Sequence, residues 1–309
     1  MATMKDVAQL AGVSTATVSR ALMNPEKVSS STRKRVEEAV LEAGYSPNSL
    51  ARNLRRNESK TIVAIVPDIC DPYFSEIIRG IEDAAMEHGY LVLLGDSGQQ
   101  KRRENSFVNL VFTKQADGML LLGTDLPFDV SKPEQKNLPP MVMACEFAPE
   151  LELPTVHIDN LTSAFEAVNY LTQLGHKRIA QISGPQHAAL CQFRHQGYQQ
   201  ALRQLLALPE QPTAIFCHND TMAIGAIQEA KRLGLRVPQD LSVVGFDDIQ
   251  FAQYCDPPLT TISQPRYEIG RQAMLMMLEL LRGHDVRAGS RLLETKLVVR
   301  ESAAPPSKK

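Results

Sequence analysis

The chain has 309 residues, 43% hydrophobic and 22% charged, with 33 basic against 35 acidic side chains and a formal charge of -2. That is ordinary soluble composition at a length that calls for two or three domains, and the near-neutral balance excludes a generic polyanion-binding surface. The average hides an asymmetry: residues 1–60 hold ten Lys or Arg against six Asp or Glu, so the head is +4 and the remainder -6. Only the head suits nucleic acid.

Helical periodicity appears three times in the first 45 residues, over Met4 to Ala11, Ser14 to Leu22 and Ser31 to Ala43, broken by Gly12-Val13 and Asn24-Pro25. Pro47 opens a stretch, Asn48 to Arg56, with Leu50 and Leu54 one turn apart. Eight or nine residues fall below the roughly 12 to 15 that an isolated helix needs in water, so this stretch is expected to be helical only when something packs on it.

From Thr61 the pattern changes to short apolar runs alternating with amphipathic helices. Strands are expected at Ile62 to Val66, Tyr90 to Gly95 and Gly118 to Leu122, with helices at Ser75 to Gly89 and Arg102 to Lys114. The rhythm restarts after Val156 to Asp159: helix Thr162 to Leu174, strands Arg178 to Ser183 and Thr213 to Cys217, helix Thr221 to Leu233, strand Leu241 to Gly245. Prolines 257, 258 and 265 punctuate a return, followed by helix Glu268 to Arg282 and one last strand, Arg291 to Val299. The fold class is α/β, with an all-α head and two lobes built on parallel sheets.

The cysteines (Cys70, Cys145, Cys191, Cys217, Cys255) are odd in number and lack a CxxC pair, so neither a disulfide framework nor a zinc ribbon is expected, and a reducing cytoplasm fits. The first residues are polar where a signal peptide needs an apolar core, and no run of 18 apolar residues follows, so neither export nor a membrane span is expected. There is no GxSxG, HExxH, P-loop or GxGxxG, and no enzyme, cofactor or metal is expected.

Two groups of residues carry chemistry. Ala8, the Gly12 turn and Ser14 through Arg20 have helix-turn-helix spacing, with Ser14 as N-cap and phosphate contact. Such a second helix presents Thr15, Ala16 and Thr17 to base edges, and Arg20 one turn later to a guanine or phosphate. An ordinary helical hairpin with a solvated arginine would read the same way locally. Leu54 among Arg52, Arg55 and Arg56 is an apolar wedge between cations, suited to a minor-groove step or, equally, to capping a core. In the core, Asp71, Tyr73 and Phe74 follow the first strand, while Asn219 and Asp247 end later strands and Arg194 precedes a helix. Ligands of α/β folds bind at the carboxyl ends of such strands.

Together these residues resemble the lactose/galactose repressor family, from MKDVAQLAGVSTATVSRAL through the hinge to GFDDI and PPLTTISQPRYEIGR. The resemblance implies a helix-turn-helix head over residues 1–46, a hinge helix over 47–59 and a core over 60–309. The core's first lobe would hold about 60–159 plus 264–288, and its second about 160–263 plus 289–300. The implied DNA-contacting set is Thr3, Ser14, Thr15, Ala16, Thr17, Arg20, Asn24, Asn48, Arg52, Leu54 and Arg55, and the effector set is Asp71, Tyr73, Phe74, Arg194, Asn219 and Asp247. The implied assembly is a homodimer on near-palindromic operator DNA.

VPDICDPYFSEIIRGIE, NLPPMVMA, EFAPELELPTVHIDN and CDPPLTTISQPRYEIG further resemble a cytidine-controlled member of the family. That implies a pyrimidine nucleoside as effector, genes of nucleoside uptake and breakdown as targets, and the cyclic-AMP receptor protein as a partner. A repressor for a sugar or other small ligand and a stand-alone binding protein are the alternatives. One departure stands out. Between Tyr198 and Pro212 the family has a further strand and most of a helix, roughly 25 to 30 residues or about one βα unit. The single helix expected over Arg194 to Leu208 would then cover one sheet face and leave the other bare, lowering stability and weakening the nucleoside response.

Overall fold

The computed structural model describes residues 2–45, 58–98, 100–123, 138–145, 153–184, 212–284, 286 and 289–307. The chain divides into two compact units, Met1–Ser59 and Lys60–Lys309. In the first, α1 (Met4–Ala11), α2 (Thr15–Met23) and α3 (Ser30–Ala43) each start on a side-chain cap: Thr3, Ser14 and Ser29 accept from the amides of Asp6, Thr17 and Thr32. Gly12, at φ 61°, closes α1 in the left-handed conformation that favours glycine and turns the chain into α2. Val7, Ala8, Ala11, Val18, Ala21, Val36 and Ala39 form the small core. The expected hinge, with Asn48, Arg52, Leu54 and Arg55, lies outside the described residues.

In the second unit the elements are β1 (Thr61–Val66), α4 (Tyr73–Glu87), β2 (Leu91–Asp96), α5 (Lys101–Phe112), β3 (Gly118–Leu122), β4 (Met141–Ala144), β5 (Thr155–Ile158) and α6 (Asn160–Gln173). They continue with β6 (Ile179–Ile182), β7 (Ala214–Cys217), α7 (Asp220–Arg232), β8 (Ser242–Asp247), β9 (Thr260–Ser263), α8 (Arg266–Leu281), β10 (Ser290–Leu293) and β11 (Lys296–Val298). Among the described residues one sheet has the order β10-β5-β4-β3-β1-β2 and is parallel throughout. The other has the order β11-β9-β8-β7-β6, with only β11 antiparallel. The chain passes between the sheets three times, after β5, β9 and β10. This gives two lobes, one built on each sheet.

On the first lobe α4 and α8 cover one sheet face. Their backbones touch: a Cβ on Gly270 would lie 1.9 Å from the Ile77 carbonyl oxygen. The other face is covered by α5 through Val108 and Val111. The segment Arg300–Ser307 laces onto the second lobe, where the Ser302 hydroxyl donates to Val243 O and accepts from Thr260 N.

Several expectations change. The single last strand Arg291 to Val299 is two strands: β10 joins the first sheet beside β5 and β11 joins the second, so the return through the first lobe extends past residue 288. The break falls at Glu294-Thr295, where the chain leaves one sheet for the other. β8 runs on to Asp247, and neither β4 nor β9 was expected. Finally, no whole sheet face is bare among the described residues of the second lobe. Ala164, Ala167 and Val168 of α6 share a core with Phe216 and Val244 on one face, while Ala223, Ile227 and Ala230 of α7 pack with Cys217 and Val243 on the other. The parallel β7-α7-β8 unit accounts for the second face, since its crossover helix must pack on one side of the strands it joins. Apolar exposure falls at the edge strand β6, where Ile182 is 37% exposed. The helix expected over Arg194 to Leu208 lies outside the described residues.

Candidate functional site

In the head, Thr15, Ala16 and Arg20 are exposed on α2 and line a depression of about 460 Å³ with Asn24. Met4, Ser19 and Met23 complete its wall and were not singled out in the sequence. Two expected contacts are tied up locally. Ser14 Oγ accepts from Thr17 N at 3.1 Å and lies 2.9 Å from Thr17 Oγ1, so these hydroxyls stiffen the entry to α2. Thr3 forms a capping box with Asp6, its amide and hydroxyl both donating to Asp6 Oδ2. Those hydrogen bonds, the backbone one first, hold the Asp6 carboxyl below its ordinary range. Arg33 pairs with Glu37 at 2.7 Å on the exposed side of α3, so part of its charge is already matched.

In the core, two of the expected residues, Tyr73 and Asp247, are brought together through Gln264. Tyr73 OH donates to Gln264 Oε1 at 3.0 Å, and Gln264 Nε2 donates to Asp247 Oδ1 at 2.7 Å. Tyr73 and Asp247, assigned from different lobes, are therefore joined through one amide. Asp247 is 6% exposed and sits at φ 118°, with Asp248 next at φ 56°. Two successive non-glycine residues in that region are a local strain of the kind that clusters at binding sites. Asp248 is held by Arg300 at 2.7 Å.

The remaining candidates have structural duties as well. Asp71 Oδ1 accepts from Tyr73 N and shapes the start of α4, while Asn219 Oδ1 accepts from Met222 N as the N-cap of α7. Phe74 departs from expectation: it is 7% exposed and packs into the first-lobe core, its ring 5.1 Å edge-on from Tyr73. It continues the apolar stripe of Ile77 and Ile81 on α4, so of the two rings Tyr73 is the more exposed and Phe74 backs it. Arg194 lies outside the described residues.

Beside this cluster Asp220 is fully buried at the start of α7, accepting from Thr261 Oγ1 at 2.5 Å and Ile249 N at 2.8 Å. Burial pushes its carboxyl up to about 6 against the pull of those hydrogen bonds. Burial likewise pushes the Cys217 thiol up to about 12, which leaves it inert as a nucleophile. Among the described residues no cluster of His, Cys, Asp and Glu is placed to hold a metal, and no helix is long and apolar enough to cross a membrane.

Residues 3–48 match the model for bacterial regulatory proteins of the lacI family. Residues 59–207 match periplasmic binding proteins and the sugar binding domain of that family, and residues 200–303 match a periplasmic binding protein-like domain. The HTH-type transcriptional repressor CytR of Escherichia coli strain K12 is 61% identical over 327 positions, covering 97% of this chain and 96% of that protein. The chain belongs to the lacI family. It is a DNA-binding regulator with a ligand-binding core. A second family member, the HTH-type transcriptional repressor PurR of Vibrio cholerae serotype O1 strain M66-2, is 34% identical and covers 92% of this chain and 93% of its own length. The crystal structure of the lac repressor dimer bound to operator and the anti-inducer ONPF matches with a TM-score of 0.87 and 27% identity. It covers 98% of this chain and 99% of that one.

The 327 aligned positions exceed the 309 residues of this chain by 18, so at least that many positions of the family relative lack a counterpart here. That excess is in keeping with a chain short of most of one βα unit. Gln264 and Arg266 lie inside the family-like run TTISQPRYEIG, but no local pattern marked either as part of the site.

Proposed function

We propose that this protein is an operator-binding repressor of nucleoside uptake and breakdown genes, working in the cytoplasm under the control of cytidine or a closely related pyrimidine nucleoside. The observation that carries the reading is the 61% identity, over nearly the whole of both chains, to a transcriptional repressor of the same family. It acts by binding rather than by catalysis.

In this reading residues 1–46 form the reading head, 47–59 the hinge and 60–309 the effector-binding and dimerisation core. Thr15, Ala16 and Arg20 read base edges from the exposed side of α2, with Ser14, Thr17, Thr3 and Asn24 setting the helix against the phosphates. Asn48, Arg52 and Arg55 grip the backbone at the hinge while Leu54 wedges the minor groove. In the core Tyr73 stacks on the base, and Asp247 accepts hydrogen bonds from the sugar hydroxyls, flanked by Asp71, Asn219 and Arg194. The ligand reaches the DNA by changing the relation between lobes, which alters how two hinge segments are presented to one operator.

Two chains per operator fit the exposed apolar side chains Leu91 and Leu93 on the edge strand β2, and Phe251 and Tyr254 beside an apolar depression on the second lobe. A contact with the cyclic-AMP receptor protein rests on the sequence resemblance alone. The test is selection of duplex DNA from a random pool by the full-length protein, with the stoichiometry of the selected complex measured by sedimentation. A near-palindromic site holding two chains supports the reading; an asymmetric site holding one chain, or no enrichment, removes it.

A further inference from the structure

The first turn of α4 and the strained turn at the end of β8 are joined twice. One arm runs Tyr73–Gln264–Asp247 through the Asp247 carboxylate. The other runs through Arg266, which donates from Nη1 to the carbonyl oxygen of Asp247 and pairs with Glu76 on α4, Nη2 to Oε2 at 3.0 Å. Tyr73 and Glu76 are three residues apart on one helix and so lie on neighbouring faces one turn apart. Gln264 and Arg266 are two residues apart in the segment that carries the chain from β9 back to the first lobe. Both are buried, Gln264 at 5% exposure and Arg266 at 7%.

We propose that Gln264 and Arg266 are positioning residues that together clamp Asp247 to the first turn of α4, and that effector recognition depends on this clamp although neither residue is assigned a ligand contact. The inference rests on the effector site proposed above. Physically, Asp247 is in a backbone conformation that an L-residue avoids, so its carboxylate is held on target only while both its side chain and its carbonyl are fixed. Gln264 is suited to the first task because its amide donates to the carboxylate and accepts from the phenol at once, which a carboxylate side chain could not do. Arg266 suits the second because its planar fork spans a carbonyl and a carboxylate in fixed directions. Because both arms end on α4, the position of Asp247 is registered against the same turn that carries Tyr73, and base and sugar contacts are set as one unit.

The experiment is calorimetric titration of cytidine into the full-length protein for the parent, Asp247→Asn, Gln264→Met, Glu76→Gln and the doubles Asp247→Asn/Gln264→Met and Asp247→Asn/Glu76→Gln. Thermal melting and operator affinity without ligand are measured alongside. The expected result is at least a tenfold loss of cytidine affinity in Gln264→Met and a loss of severalfold in Glu76→Gln, with ligand-free operator affinity unchanged. Each double should lose less than the sum of its two single losses, because a residue that acts by aiming the Asp247 carboxylate has no carboxylate left to aim. Glu76 is half exposed, so its variant keeps the test open if Gln264→Met does not fold. Losses that add in the doubles, or single variants that bind as the parent does while Asp247→Asn is impaired, would overturn the clamp and leave the effector site standing. Unimpaired binding by Asp247→Asn, or no binding of cytidine by the parent, would remove the site and the clamp together.

Discussion

Asp220→Asn is the substitution for which the structure supports the most detailed expectation. The carboxylate is fully buried and pins the loop after Asp247–Asp248 to the start of α7, through the Ile249 amide and the Thr261 hydroxyl. Its folded-state value of about 6 stands above the ordinary 3.8. A raised carboxylate means that the folded state holds its proton more tightly than the unfolded state does. Above pH 6 folding therefore has to keep a buried charge, and that cost fades as pH falls from 6 toward 4. A shift of about two units corresponds to about 3 kcal/mol, on the scale of 1.36 kcal/mol per unit. Asparagine copies the protonated acid: its oxygen accepts from Ile249 N, and its amide donates to a Thr261 hydroxyl turned to accept. We expect Asp220→Asn to be more stable than the parent by about 2 to 3 kcal/mol at pH 7.5 and equal to it near pH 4. Urea unfolding followed by circular dichroism, parent against variant at each pH, measures the difference with the other titrating groups cancelled; the gain amounts to a midpoint shift on the order of 1 M. A difference that does not vary between pH 4 and 7.5, or a variant less stable at pH 7.5, would refute the reasoning.

Arg20→Ala should weaken binding to the selected operator by about 1 to 3 kcal/mol if the guanidinium reads a guanine bidentately, with a smaller loss on random duplex; equal losses on both, measured by anisotropy at one salt concentration, would make it a phosphate contact. Gly270→Ala would drive a methyl to within 1.9 Å of the Ile77 carbonyl oxygen. Pushing α8 off α4 costs about 3 kcal/mol at the upper end of overpacking, and better helix propensity returns about 1. The expected net loss of about 2 kcal/mol should appear as a lower melting temperature together with weaker cytidine binding, because α4 carries Tyr73. A variant that melts with the parent would show that the helices can part freely. Thiol labelling of the native protein should modify exposed Cys70 and spare Cys217, whose thiol is buried and pushed up to about 12. Labelling of Cys217 at the same rate would place it outside the second-lobe core.

What could be read from the sequence followed from how local its causes are. The head was legible because each of its helices announces itself within four residues: Ser14 caps α2, Gly12 takes the left-handed turn, and Val7, Ala8 and Ala11 recur at helical spacing. The parallel sheets were legible from apolar runs such as Ile62 to Val66, buried on both faces. β9 was missed because Thr260-Thr261-Ile262-Ser263 carries one large apolar residue between prolines, and its strand character comes from pairing with β8 and β11. The split between β10 and β11 is likewise tertiary, since it depends on which sheet offers an edge. Phe74 was misjudged although the signal was there, because its spacing to Ile77 and Ile81 marks it as part of the buried stripe of α4. Gln264 had no such signal. Its partners are 191 residues away at Tyr73 and 17 away at Asp247, and only the meeting of the lobes gives it a role.

The most direct measurement of the central claim is the affinity of the full-length protein for its selected operator as cytidine is added, with guanosine and a hexose as comparison ligands. Cytidine alone should change operator affinity by fivefold or more, the lower end of allosteric coupling, and Asp247→Asn should abolish the change while binding the operator as the parent does. Operator affinity unmoved by saturating cytidine, or moved equally by the hexose, would contradict it.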